Sequence, residues 1–129
     1  ADRPVGVDVE IIGLLRSAPE ERAAWVLAPA ELAEFSRLGP ADREAYLLTH
    51  WTLKEAWAKR SGHGLNLGEM PGLVTQTGAA AANARVWRAG GLIVALCADA
   101  NGAWPQPRGQ GLNAVSAQHW QVEAINRPH

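Results

Sequence analysis

No disulfide can form within this chain, because Cys97 is its only cysteine. A lone thiol in the apolar run from Leu92 to Cys97 reads as a buried, inert side chain rather than a nucleophile. No apolar stretch reaches membrane-spanning length, and the first residues lack a basic segment followed by an apolar one, so a cytoplasmic setting is expected and no membrane partner. Runs of Lys or Arg are also missing. With a formal net charge of -1, the chain offers no surface for nucleic acid or an anionic membrane as its main partner. The neighbourhood of Gly78 and Ala79 lacks the Gly-Lys-Ser/Thr ending of a phosphate loop. His50, His119 and His129 have no mutual spacing that suggests zinc. Disulfide scaffolds, membrane proteins, nucleic-acid binders and zinc modules are thereby set aside.

What remains is 129 residues, enough for one domain with a real core and not for two complete ones. The first half has helical signals. Pro19-Glu20-Glu21-Arg22 opens a short helix with acids in its first turn, and Pro29 stands near the first position of another over Ala30 to Phe35. Gly39-Pro40-Ala41-Asp42 begins a main helix of roughly twenty residues, about 30 Å at 1.5 Å per residue. Its apolar surface comes from Tyr46, Leu47, Leu48, Trp51 and Trp57, spread widely enough for packing on more than one side. Arg60 and Ser61-Gly62 provide a basic last turn and a left-handed stop.

Beyond Leu65 the pattern changes to strands and turns. Asn66 to Gly72 reads as a loop, and Thr77-Gly78 with the alanines at 79–82 is undecided. Ala84 to Arg88, Gly90-Gly91 and Leu92 to Cys97 form a hairpin of one half-exposed and one buried strand. Asn101-Gly102, Pro105 and Pro107 mark a loop expected to be mobile. Asn113 to Ile125 is expected to add an edge strand. The expected class is α+β, one long helix on a small, mostly antiparallel sheet.

Two stretches carry chemistry. On the helix, Trp51, Glu55 and Lys59 are each four residues apart and share one stripe, with Lys54 one position round. By itself Glu55 with Lys59 is an ordinary solvated pair. The second stretch is Val5-Gly6-Val7-Asp8-Val9-Glu10, where strand alternation is expected to turn the valines to the core and to project Asp8 and Glu10 together from the other face. Neighbouring carboxylates raise each other's pKa unless a cation compensates them. A third carboxylate from the helix would complete an oxygen-rich site suited to magnesium.

Gly6-Val7-Asp8-Val9-Glu10, followed some forty residues later by Trp51-Thr52-Leu53-Lys54-Glu55-Ala56-Trp57-Ala58-Lys59 and then Gly62-His63-Gly64-Leu65, resembles the 4'-phosphopantetheinyl transferase superfamily. The helix motif is similar to that of its larger, surfactin-synthetase-activating type. The likeness is good from about Arg3 to Leu65 and thereafter holds only in the strand pattern. Trp25 and Val26 stand where the family usually has two aromatics, a few residues before a Glu. His63 stands where it usually has Lys or Arg.

The resemblance implies transfer of the phosphopantetheine arm of coenzyme A to a serine of an acyl or peptidyl carrier protein. It further implies magnesium held by Asp8, Glu10 and Glu55, pyrophosphate contacts from Lys59 and Lys54, and a phosphate contact from His63 when protonated. Glu55 and Lys59 are the implied catalytic residues, as proton acceptor for the serine and contact to the leaving group. In the larger transferases the motif at Asp8 opens the second of two similar halves. Residues 1–129 are therefore expected to be a single domain that corresponds to that half, completed by an upstream half or by pairing with copies of itself. Two other readings stay open: a non-catalytic dimerising or carrier-protein-binding module on the same fold, and a magnesium-dependent enzyme acting on another pyrophosphate.

Overall fold

A computed structural model of the chain describes residues 5–13, 18–62, 69–77, 82–98 and 118–124. The helices begin where proline pre-sets the backbone: α1 (Pro19–Val26), α2 (Pro29–Arg37) and α3 (Pro40–Ser61) each have Pro in the first turn. Proline costs nothing there, since the first amides of a helix have no intrahelical partner. Their N-cap residues, Ala18, Ala28 and Gly39, make no side-chain cap. On α2 Glu31 supplies what is missing, its Oε1 accepting the Ala28 N–H at 2.9 Å. The 22 residues of α3 end at Gly62, whose φ of 79° and N–H bonds to the carbonyls of Ala58 and Lys59 form the left-handed stop.

Strands β1 (Gly6–Ile11), β2 (Leu73–Thr77), β3 (Ala84–Ala89), β4 (Leu92–Cys97) and β5 (Gln118–Ala124) form one sheet in the order β1-β4-β3-β5-β2, antiparallel at every pairing. The hairpin is β3–β4, turning at Gly90 with φ of 61°. A 3₁₀ turn, Met70–Gly72, leads into β2. The fold is thus α+β, helices packed on an antiparallel sheet.

The main core lies between α3 and one face of the sheet, where Leu48, Leu53 and Ala56 meet Ala84, Val86, Ile93, Ala95, Cys97, Trp120 and Val122. A second cluster, Ala23, Val26, Leu27, Phe35 and Leu47, seats α1 and α2 against α3. Arg43 on α3 staples the three helices together. Its guanidinium bonds to Glu20 of α1 at 2.9 Å and to the carbonyls of Ser36 and Leu38. Among the described residues no helix is long and apolar enough to cross a membrane.

Three expectations are corrected. β5 is an interior strand between β3 and β2, so the edge strand at that end is β2. The side chain of Asn83, just before β3, acts as one more ladder position, accepting the Val122 N–H and donating to the Val122 carbonyl, each at 2.9 Å. β2 itself was not anticipated, although Leu73 to Thr77 alternates buried and more open positions.

The third correction concerns β1. The alternation is as expected, but the faces are reversed: Val5, Val7, Val9 and Ile11 are 44–47% exposed, while Gly6 and Asp8 are buried toward α3. The cause is the closeness of the helix. A Cβ on Gly6 would stand 1.8 Å from the Ala56 carbonyl oxygen and 2.4 Å from the Arg60 nitrogen. A valine cannot fit between two backbones at that separation, so the strand presents its glycine to the helix and the next inward position falls to Asp8. The valines then join the opposite sheet face, beside Trp87, Val94 and Leu96.

Candidate functional site

Gly6 brings β1 against the last two turns of α3, and this approach sets the site. Asp8, 9% exposed, accepts a hydrogen bond from the Lys59 ammonium at 2.7 Å through Oδ1. Its other oxygen, Oδ2, is buried and has no partner. Burial is the largest cause that raises the pKa of Glu10 above the ordinary 4.5, and the charges of Asp8 and Glu55 add to the rise against the opposing charge of Lys59. The Lys59 ammonium is in turn held above its ordinary value, first by its bond to Asp8, with Glu55 and Glu10 adding to it. Asp8, Glu10, Glu55 and Lys59 thus share one electrostatic neighbourhood, although β1 and α3 are far apart in sequence.

Counted by themselves and fully ionised, these three carboxylates and one ammonium leave two negative charges in excess. A buried carboxylate oxygen without a partner, beside a carboxyl of raised pKa, is what an excess of negative charge in a partly buried place produces. The donors are all oxygen, which suits a hard divalent cation such as magnesium. Among the described residues no group of three or more His, Cys, Asp or Glu side chains is placed to hold a metal ion. Lys59 is bound instead to one of the Asp8 oxygens. The donors are thus of the chemical kind that magnesium takes, but they are not gathered around one point, and Lys59 sits on one of them.

Lys54 does not join them. It is fully buried, and its ammonium donates to Glu31 Oε1 at 2.7 Å, to the Val26 carbonyl at 2.6 Å and to the Met70 carbonyl at 3.0 Å. All three donors of the ammonium are used inside the protein, which leaves none for a phosphate. The other oxygen of Glu31 accepts the Thr75 N–H and hydroxyl at 2.8 and 2.9 Å. Burial pushes the Glu31 carboxyl up, but Lys54 and the Ala28 amide outweigh it and hold the pKa below 4.5. For Lys54 burial dominates and lowers the pKa against the attraction of Glu31. This pair locks α1, α2, the 3₁₀ turn and β2 onto α3.

His63 lies outside the described residues. Gly6 and Glu31 were the residues that sequence reasoning did not place. A glycine inside an alternating strand is a signal of close backbone approach, and a Glu two residues after a helix-opening Pro is a signal of N-terminal capping. Cys97 is free and buried, its thiol pushed up to about 12 by burial, as expected for an inert side chain. A groove of ~490 Å³ lies at the opposite edge of the sheet, lined by Glu31, Glu34, Tyr46, His50, Thr75 and Trp120 among others. It contains none of the charged quartet. In that groove His50 donates its Nδ1 hydrogen to the Tyr46 carbonyl at 2.9 Å, and burial lowers its pKa.

A family model described as the 4'-phosphopantetheinyl transferase superfamily matches residues 4–102. That span contains β1 through β4 and the whole charged quartet. No curated protein matches the chain.

Proposed function

Because the chain belongs to the 4'-phosphopantetheinyl transferase superfamily, we propose that it takes part in magnesium-dependent transfer of the 4'-phosphopantetheine arm of coenzyme A to a serine of an acyl or peptidyl carrier protein. In this reading it is the second half of a transferase of the larger, surfactin-synthetase-activating type, working in the cytoplasm. The observation that supports it is the Lys59–Asp8 ion pair, with the charges of Glu10 and Glu55 acting on the same neighbourhood and one Asp8 oxygen left buried and unpartnered.

Asp8, Glu10 and Glu55 would hold the ion, which when bound supplies positive charge for the pyrophosphate of coenzyme A. The serine oxygen attacks the phosphorus that carries the pantetheine arm. The bond from that phosphorus to the bridging pyrophosphate oxygen breaks, and 3',5'-ADP leaves. Lys59, whose ammonium is bound to Asp8 but whose side chain is 52% exposed, is the cation that would turn toward that leaving oxygen. Glu55 accepts the serine proton, directly or through water. The nucleophile belongs to the carrier protein, which is why the chain needs no activated Ser or Cys.

The exposed stripe of Val5, Val7, Val9 and Ile11 supports a second copy or an upstream half as the partner that covers β1. The same stripe favours the alternative, a dimerising or carrier-protein-binding module without catalysis.

The test is transfer of a labelled arm from coenzyme A to an apo carrier protein with magnesium, for the chain and for Glu55→Gln at equal folding. Transfer abolished by the substitution is the expected result. Coenzyme A binding that requires magnesium, without transfer, means that a further half completes the site. Absence of both transfer and binding overturns the enzyme reading in favour of the module.

A further inference from the structure

Like charges on facing elements push those elements apart, and the β1–α3 seam carries Asp8 and Glu10 on one side and Glu55 on the other. At the Gly6 end the seam is drawn together by the Lys59–Asp8 bond at 2.7 Å and by backbone packing of Gly6 on Ala56. Glu10 lies toward the other end, past Asp8. There Gly13, with φ of 101°, donates its N–H to Glu44 Oε2 at 2.8 Å. Glu44 is on α3, eleven residues before Glu55, which is about 16 Å along the axis. A second bond at this end, Ile12 N–H to the Gly91 carbonyl at 2.7 Å, ties β1 to the β3–β4 turn and therefore to the sheet, not to the helix.

We propose that Glu44 is a positioning residue for the charged site: by holding the Gly13 amide it fastens the far end of β1 to α3 and sets the separation of Glu10 from Glu55. The magnesium arm of this inference rests on the functional reading above; the fastening itself does not. Glu44 contributes through its acceptor oxygen and the length of its side chain. Its charge is of no use to a site already in negative excess.

That distinction gives the test. Glu44→Gln keeps the acceptor and the length, Glu44→Asp keeps the charge and shortens the reach, and Glu44→Ala removes both. Three quantities are read on the whole chain: thermal midpoint, hydrogen exchange at the Gly13 amide with the Glu10–Glu55 side-chain cross-relaxation by NMR, and magnesium affinity by calorimetry. Ala and Asp are expected to remove protection at Gly13, to lose the cross-relaxation and to weaken magnesium about tenfold, the size of effect typical of residues that orient metal ligands. Gln is expected to stay within about threefold of the parent, and the thermal midpoints of all three variants are expected to shift by only a few degrees, since the bond at stake is a single exposed one. Gln falling together with Ala, or Gly13 staying protected in the Ala variant, overturns the proposal. Should the parent chain bind no magnesium, the metal reading fails, and the exchange and cross-relaxation measurements still decide the role of Glu44: their persistence in the Ala variant overturns it, their loss with retention in Gln upholds it.

Discussion

Lys54 and Lys59 stand five positions apart on the same helix, and each pairs with a carboxylate at 2.7 Å. Their surroundings differ completely. The side chains of Lys54 and Glu31 are 0% and 5% exposed, and both oxygens of Glu31 are satisfied, by the Ala28 amide, Lys54, and the amide and hydroxyl of Thr75. The Asp8 carboxylate is nearly as buried, yet one of its oxygens has no partner, and its lysine reaches into solvent. A carboxylate whose acceptor sites are all used holds elements together. One left incomplete has acceptor capacity that the fold does not use. Distance alone would have called these two ion pairs alike.

The comparison breaks most visibly at Lys54. Lys54→Met strands the Glu31 charge in the core, and denaturant unfolding is expected to show a loss of about 3–5 kcal/mol. The double variant with Glu31→Leu is expected to recover much of that loss, because the penalty lies in the unpaired charge. Recovery will be incomplete, since Glu31 also caps α2 and holds β2. Equal instability of the single and double variants would refute this account.

At Lys59 the balance is inverted. Lys59→Met is expected to change stability by only about 0–1 kcal/mol, the range of partly exposed pairs. Transfer to a carrier protein, assayed on the same samples, is expected to fall roughly a hundredfold, the scale of losing one charge-stabilising group. A variant that unfolds easily but retains transfer would place Lys59 with Lys54 as a structural residue.

The smallest effect concerns pH. The folded pKa of Glu10 is raised above the ordinary 4.5, with burial as the largest cause. Folding therefore favours its protonated form. The stabilisation is complete below 4.5 and is lost as pH rises through the folded value, so that the ionised group opposes folding at neutral pH. Glu10→Gln is expected to raise the thermal midpoint of the metal-free chain at pH 7, and the gain should vanish below about pH 4.5. A midpoint that is unchanged or lower at pH 7 would remove the strain from the Glu10 environment.

Much of this was legible before any coordinates. Pro19, Pro29 and Pro40 mark helix starts through a fixed φ, and Gly62 marks the stop of α3 because only glycine takes the left-handed angle without strain. The β3–β4 hairpin follows from apolar runs around Gly90-Gly91. These are local signals, written in neighbouring residues. Lys54 was misplaced because its burial depends on Val26, Glu31 and Met70, all distant in sequence. β5 was placed at an edge because β2, the strand that covers it, has a short and mixed pattern that no turn pair announces.

The sequence by itself determined where the helices begin and end, that β1 alternates, and that Asp8, Glu10, Glu55 and Lys59 exist as two motifs. Only the tertiary structure decided which face of β1 is inside and which lysine of α3 meets an open carboxylate. The reason is physical. A period of two states which side chains share a face, but a face becomes interior only when another element covers it, and here the cover is the backbone of α3 at Gly6, too close for any side chain.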